Sequence, residues 1–157
     1  MITRKIEVNN TSNRAVPLLP AEKAALEFLL PLSSEYPEIF DWYVCKVVPG
    51  LRAGTRLLHA VERNGSIVGV GIAKLEDEKK ICTVRVSPEY VGRGVGVRLF
   101  DQLLKGLRTD MPCLTVSETK LPAFQRIFDS YGFKLTGIVN GRYVPGVVEY
   151  SFNGERP

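Results

Sequence analysis

Cysteine and histidine are scarce in this chain, and their scarcity excludes several classes of protein. Three cysteines stand singly among 157 residues, so neither a disulfide framework nor a cysteine-rich metal site is indicated. His59, the only histidine, falls in the middle of a strand pattern, where a structural role is the default. We therefore expect a reduced protein without a metal site.

Long hydrophobic runs and blocks of one charge are also missing. No uncharged apolar run approaches the ~20 residues of a membrane span, and residues 1–8 lack the apolar stretch of a signal peptide. Lys and Arg number 21 against 17 Asp and Glu, for a formal net charge of +4. We expect a cytoplasmic protein away from membranes. The mild positive charge suits a phosphorylated ligand, and nucleic-acid binding without acyl chemistry stays open as a lesser alternative.

The hydrophobic periodicity predicts one α+β domain over residues 1–157, a length typical of a single domain. Helices are predicted at about 21–30, from Ser34 to Pro49-Gly50, at 95–107 and at 121–130. Strands are predicted at about 2–8, 56–63, 66–75, 81–86, 113–116, 133–139 and 147–152. Asn64-Gly65 is a strong hairpin signal, so the strands between 56 and 86 are expected to form an antiparallel meander. The helices must then cover a mostly antiparallel sheet.

A glycine-rich turn at residues 92–96 carries the clearest chemical signal. Gly92, Gly94 and Gly96 follow a strand that Pro88 ends, and they lead directly into the helix predicted at 95–107. Glycine lets a ligand approach the backbone closely, and a helix N-terminus presents unpaired N–H donors that attract anions. The turn therefore predicts a phosphate or pyrophosphate cradle. Its spacing matches neither a P-loop nor a dinucleotide-binding fingerprint.

Two motifs resemble those of the GCN5-related N-acetyltransferase (GNAT) family. The family's cofactor motif is Gln/Arg-x-x-Gly-x-Gly/Ala after a strand ending in Val-x-Pro, and here Val86-Ser87-Pro88 precedes Val91-Gly92-Arg93-Gly94-Val95-Gly96. The family's closing Gly-Phe is similar to Gly132-Phe133. The element order matches over about residues 56–152. The resemblance implies an acyl-CoA N-acyltransferase fold, with a mostly antiparallel mixed sheet of about seven strands and about four helices on its two faces.

The resemblance also implies a cofactor, acetyl-CoA, and the place where it binds. Acetyl-CoA would lie in a V-shaped opening between the strand that ends at Val86 and the strand at 113–116. The expected contacts are strand backbone, the glycine turn and two helix phenylalanines: Val84, Val86, Val91, Gly92, Arg93, Gly94, Val95, Gly96, Val97, Phe124 and Phe128.

Two positions depart from the family pattern. Val91 stands where Gln or Arg is usual, and we expect its backbone N–H to keep the cradle intact. Phe128 stands where many members have a tyrosine that protonates the leaving thiolate, and Tyr131 would project differently. The sequence therefore names no general acid. A catalytically silent acyl-CoA-binding module stays open as the alternative to an active N-acetyltransferase.

By the same resemblance, an acceptor amine would attack the thioester directly in a ternary complex. Glu118 and Ser117, just past the strand at 113–116, are the candidate catalytic residues. The candidate acceptor-binding residues are Tyr36, Trp42 and Tyr143. Nearby carboxylates (Glu35 and Asp41) suit a cationic amine on a small molecule, a protein or an RNA. The last strand is a candidate edge for pairing in a homodimer.

Overall fold

A computed structural model describes residues 17–154, and the strand predicted at 2–8 lies outside them. The described strands are β1 (Arg56–Arg63), β2 (Ser66–Lys74), β3 (Lys80–Val86), β4 (Leu114–Ser117), β5 (Leu135–Asn140) and β6 (Val148–Phe152). The α-helices are α1 (Pro20–Leu29), α3 (Val95–Leu107) and α4 (Leu121–Tyr131), with α2 formed by the consecutive segments Ile39–Trp42, Tyr43–Val47 and Val48–Ala53. Short 3₁₀ helices occupy Leu30–Ser34 and Pro88–Tyr90.

The strands form two antiparallel sheets of three strands each, with the orders β1-β2-β3 and β4-β6-β5. One parallel bridge joins them: the Ile81 N–H donates to the Cys113 carbonyl at 2.9 Å, and the Cys113 N–H donates to the Lys79 carbonyl at 3.0 Å. Within residues 17–154, β3 and β4 are not paired beyond this bridge, so the two sheets part. The α+β class is confirmed, with six described strands where about seven were expected. The prediction that the last strand is an edge for pairing in a homodimer is wrong, because β6 lies between β4 and β5 and pairs with both.

The predicted meander of β1, β2 and β3 is confirmed. Asn64 and Gly65 have φ of 54° and 77°, and positive φ at both central residues defines the type I′ turn that matches strand twist. Arg63 consequently pairs with Ser66 across the hairpin.

Strand β2 is buried on both faces, and its glycines let α3 pack closely against it. Val70 and Ile72 face the core of α1 and α2. On the other face, a Cβ added at Gly69 would lie 2.6 Å from Val95 Cγ1, and one added at Gly71 would lie 2.9 Å from Leu103 Cδ1. This close packing fixes the start of α3 beside the end of β3.

The prediction that the second helix ends at Pro49-Gly50 is wrong, because α2 continues to Ala53. Proline removes a backbone donor and normally breaks a helix. Here the preceding turn is π-helical, with the Val48 N–H bonded to the Tyr43 carbonyl, and this wider turn accommodates the proline. The helix ends instead at Gly54, whose φ is 80°.

The packing at Gly69 gives a direct test of the fold. Gly69→Ala should lower the free energy of unfolding by about 1–3 kcal/mol, because the methyl group would overlap Val95. Gly137→Ala is the matched control, since its Cβ would meet only the Ser151 side chain, at an ordinary 3.6 Å from Cβ and 3.8 Å from Oγ. Its expected effect is within about 0.5 kcal/mol. Urea denaturation of both variants makes the comparison, and equal effects would contradict the close packing of α3 on β2.

Candidate functional site

A groove of about 330 Å³ lies where β3 and β4 part. Val84 and Val86 of β3 line one side, and Thr115 and Val116 of β4 line the other. The remaining apolar lining comes mainly from α3 and α4, through Gly96, Val97, Phe100, Ala123, Phe124, Ile127 and Phe128. The V-shaped opening expected from the sequence is therefore present, and both predicted phenylalanines line it.

The edge of β3 that faces this groove offers unpaired backbone groups. The Ser87 N–H donates to the Val68 carbonyl on the β2 side, and Arg85 lies opposite Val70 in the same register. Since bonding direction alternates along an antiparallel strand, the N–H and C=O groups of Val84 and Val86 point away from β2. They point toward the groove, where they could form hydrogen bonds with an extended ligand as they would with a neighbouring strand.

The glycine turn forms one end of the groove. Gly92 and Gly94 have φ of 81° and 84°, a conformation that other residues adopt only with strain. None of the described side chains caps α3 at Gly94, so the amides of Val95, Gly96 and Val97 are the donors open to an anion. Three cationic residues, Arg85, Lys120 and Arg126, are among those that line the groove.

The backbone of Val91 does not serve the cradle as the sequence suggested. Its N–H donates to the Pro88 carbonyl at 3.4 Å, and the Arg93 N–H donates to the Tyr90 carbonyl at 3.2 Å. These turn bonds use two of the predicted donors. The first-turn amides of α3 are thus better placed than those of Val91 and Arg93 to donate to an anion.

Phe128 belongs to an aromatic cluster and presents no proton donor. It is 1% exposed and packs against Phe100, Phe124, Phe133 and Phe152, with ring centroids 4.9–6.1 Å away. The Gly-Phe motif completes this cluster, because Gly132 ends α4 with a φ of 72° and the Phe133 N–H bonds back to the Phe128 carbonyl.

The Tyr131 hydroxyl donates a hydrogen bond to the Asp101 carboxylate on α3. Burial and this contact raise the Tyr131 pKa. Tyr131 does not line the groove, so it is no substitute for the missing tyrosine.

A second cavity, of about 590 Å³, adjoins the groove. The two share four lining residues: Tyr36, Cys82, Thr83 and Thr115. The three predicted acceptor-binding residues, Tyr36, Trp42 and Tyr143, all line this second cavity, and the rings of Tyr36 and Tyr143 meet edge to face at 4.9 Å. The sequence thus identified residues that the fold brings to one place.

A buried carboxylate that the sequence reasoning missed lies behind Tyr36. The Tyr36 hydroxyl donates to Glu149 Oε1 at 3.0 Å, and Glu149 is 3% exposed. Burial raises the Glu149 pKa, although hydrogen bonds from Tyr36 and Thr115 and the charge of Arg142 act in the opposite direction. Burial and the nearby carboxylate raise the Tyr36 pKa as well. The available signal was a lone carboxylate on the inward face of the last strand.

Ser117 and Glu118 are not placed for catalysis. Ser117 is buried and donates to Glu35 Oε2 at 3.1 Å, while the Glu118 carboxylate accepts the Val148 N–H at 3.1 Å. Neither residue lines the groove or the second cavity. Ser117 ends β4 and pairs with Glu149 of β6, and Glu118 follows it and bonds to Val148. The expectation that Glu118 approaches the thioester is therefore not supported.

No group of three His, Cys, Asp or Glu side chains within residues 17–154 is arranged to hold a metal ion. Burial lowers the pKa of His59 and raises that of Cys82, which suits structural side chains. No helix in residues 17–154 is long and apolar enough to cross a membrane.

Solved structures share this fold. A ribosomal-protein-alanine N-acetyltransferase from Brucella melitensis aligns with a TM-score of 0.63 and 16% identity, over 82% of this chain and 93% of that one. An aminoglycoside 6'-N-acetyltransferase complexed with coenzyme A aligns at 0.60 and 14%, over 88% and 94%. The protein yncA from Salmonella typhimurium, solved with acetyl-CoA, aligns at 0.56 and 17%, over 72% and 71%.

The fold is shared with these acetyltransferase structures, and the sequence comparison agrees. The profile of the acetyltransferase (GNAT) domain matches residues 45–147. The chain therefore belongs to the GNAT acetyltransferase family. No curated protein sequence matches it.

The buried carboxylate predicts an unusual pH dependence of stability. Because the pKa of Glu149 is raised in the fold, the folded state binds a proton more tightly than the unfolded chain does. Its contribution to stability is therefore lost as the pH rises from the ordinary carboxyl range through the raised value. Glu149→Gln should remove this loss and make the protein more stable than the wild type at neutral pH. Urea unfolding from pH 4.5 to 8 tests this. A free energy of unfolding that rises with pH in the wild type relative to the variant would contradict it.

Proposed function

We propose that this protein transfers an acetyl group from acetyl-CoA to an acceptor amine, with both substrates bound together. The observation that carries the proposal is the continuity of the groove with the second cavity at Tyr36, Cys82, Thr83 and Thr115. An extended donor in the groove and an amine in the cavity would meet at these residues.

The residues of the groove fit coenzyme A. The open amide and carbonyl groups of Val84 and Val86 suit the amides of a pantetheine arm. The first-turn amides at 95–97 suit a pyrophosphate, because the helix dipole and unpaired donors favour anions there. Bound coenzyme A in the aminoglycoside acetyltransferase and acetyl-CoA in yncA support this assignment. When bound, acetyl-CoA supplies the acetyl group as an activated thioester.

Tyr36 and Glu149 supply a proton path for the acceptor amine. The Tyr36 hydroxyl donates its own proton to Glu149, so its oxygen remains able to accept a hydrogen bond from the amine. As the amine loses a proton to Tyr36 Oη, the hydroxyl proton passes to Glu149 Oε1. The raised pKa of Glu149 makes its carboxylate a stronger base than an exposed one.

A silent acyl-CoA-binding module is the second candidate. Phe128 favours it, because a buried ring among other rings has no proton to give a thiolate. Acetyl transfer to any amine in a broad panel would exclude this reading, whereas tight acetyl-CoA binding without transfer would establish it.

Coenzyme binding is tested at Val97, an exposed residue in the first turn of α3. The wild type should gain about 2.7 kcal/mol of stability from acetyl-CoA or CoA at ~100 times the dissociation constant. Val97→Glu should keep the fold, since acidic residues suit a helix N-terminus, but weaken CoA binding about tenfold or more through repulsion of the pyrophosphate. Val97→Gln is the neutral control of matched shape. Thermal unfolding with CoA and with ATP gives the readout, and equal binding by both variants would refute the cradle.

The proton path is tested by Tyr36→Phe and Glu149→Gln. Each should lower the rate of acetyl transfer by ~10²–10⁴-fold, the usual contribution of general-base catalysis. Each should also flatten the rise of kcat/KM with pH, while CoA binding stays unchanged. Tyr131→Phe is the matched control, because it removes a hydroxyl outside the groove. A wild-type pH profile in both test variants would show that the amine loses its proton elsewhere.

A further inference from the structure

The charge of the second cavity differs from the sequence expectation. Glu35 and Asp41 do not line it. The Glu35 carboxylate instead accepts from Ser117 and pairs with the Lys120 ammonium at 3.4 Å. The charged residues that do line the cavity are Arg56, Lys74, Lys80, Arg142, Glu38 and Glu78. Among the described residues, four cationic side chains against two carboxylates make the lining positive.

Three of these cations form a row across one sheet. Arg56 of β1 lies directly opposite Lys74 of β2, and Lys74 lies directly opposite Lys80 of β3. Residues directly opposite one another share a face of the sheet, and like charges in such pairs destabilise it. Lys74 pairs with the Asp77 carboxylate at 4.0 Å, and the Asp77 side chain is 86% exposed. Such a pair recovers little stability.

The row, Arg56, Lys74 and Lys80, borders the part of the cavity that meets the groove. Arg56 reaches Cys82 Sγ at 3.5 Å and lies 5.7 Å from the centre of the Trp42 ring. Cys82 is one of the residues that line both the groove and the cavity. A negatively charged group bound by the row would therefore sit close to the point where an acceptor meets the acyl donor.

We infer that the acceptor carries an anionic group, a carboxylate or a phosphate, close to its reacting amine, and that Arg56, Lys74 and Lys80 bind this group. The inference rests on the proposed acetyl transfer. Cationic surroundings lower the pKa of an amine, so they favour the neutral form that attack requires. They also disfavour a polycation, which has no anion to offset the repulsion.

The substrate class is tested with pairs of amines that differ in one anionic group. The carboxylate pairs are tryptophan with tryptamine, tyrosine with tyramine, and ornithine with putrescine. The phosphate pair is phosphoethanolamine with ethanolamine, and spermidine represents the polycations. Binding to the CoA-saturated protein is measured by calorimetry, and kcat/KM by release of CoA from acetyl-CoA. The anionic member of at least one pair should bind about tenfold more tightly, as charge-assisted hydrogen bonds predict, and spermidine should bind weakest.

The row itself is tested by Lys74→Gln. This change should weaken binding of the preferred anionic amine about tenfold. The affinity for the amine of the same pair that lacks the anionic group should change by no more than about twofold. It should also raise the urea midpoint, because one of three opposed charges is removed. Arg63→Gln is the control, since Arg63 lies at the far end of β1 and lines neither the groove nor the cavity. In this control variant, the ratio of the affinities for the two amines of a pair should equal that of the wild type, and CoA binding should be unchanged.

The failures are distinguishable. If the protein binds acetyl-CoA and transfers its acetyl group but prefers spermidine or the amines without an anionic group, the inferred substrate class is wrong and the acetyltransferase proposal stands. If no member of any pair binds to the CoA-saturated protein, the inferred class is also wrong. If acetyl-CoA itself does not bind, the proposed function fails first. A Lys74→Gln variant that keeps the full anionic preference would overturn the role of the row.

Discussion

The backbone bridge at Ile81 and Cys113 is the constraint on which the candidate site depends. It holds the two sheets together at one end, and beyond it β3 and β4 separate. Because no strand within residues 17–154 pairs with β3 on that side beyond the bridge, its amides and carbonyls there are open to a ligand. The close packing of α3 on the glycines of β2 places the helix N-terminus at the end of the same opening. Strand edge and anion cradle therefore belong to one groove.

The groove and the second cavity differ in the charged groups that line them. The open amides in the first turn of α3 make that end of the groove attractive to phosphate. In the second cavity, Arg56, Lys74 and Lys80 lie opposite one another across the sheet, and a ligand anion would reduce the repulsion among them. Between the two, Tyr36 connects the cavity to the buried carboxylate of Glu149. The charges thus favour a neutral amine beside a bound anion, close to the acyl donor.

Local signals predicted most of the fold. The Asn64-Gly65 turn, the helix from Val95 to Leu107 and the glycine-rich turn before it could all be predicted, because each depends on neighbouring residues. The extension of α2 through Pro49 was not, since it depends on a π-helical turn. Glu149 was missed because only the pairing of β6 with β4 and β5 buries it behind Tyr36. The cationic row was missed for the same reason: its members are 18 and 6 positions apart in sequence and meet only through strand register.

The central claim is that acetyl-CoA lies along the open edge of β3 with its pyrophosphate on the first turn of α3. Residue-resolved amide hydrogen exchange, with and without acetyl-CoA, tests it most directly. The account predicts slower exchange at Val84, Val86 and residues 95–97 on binding, with no change along β5. Protection that appears elsewhere, or binding that leaves these amides unchanged, would contradict the account.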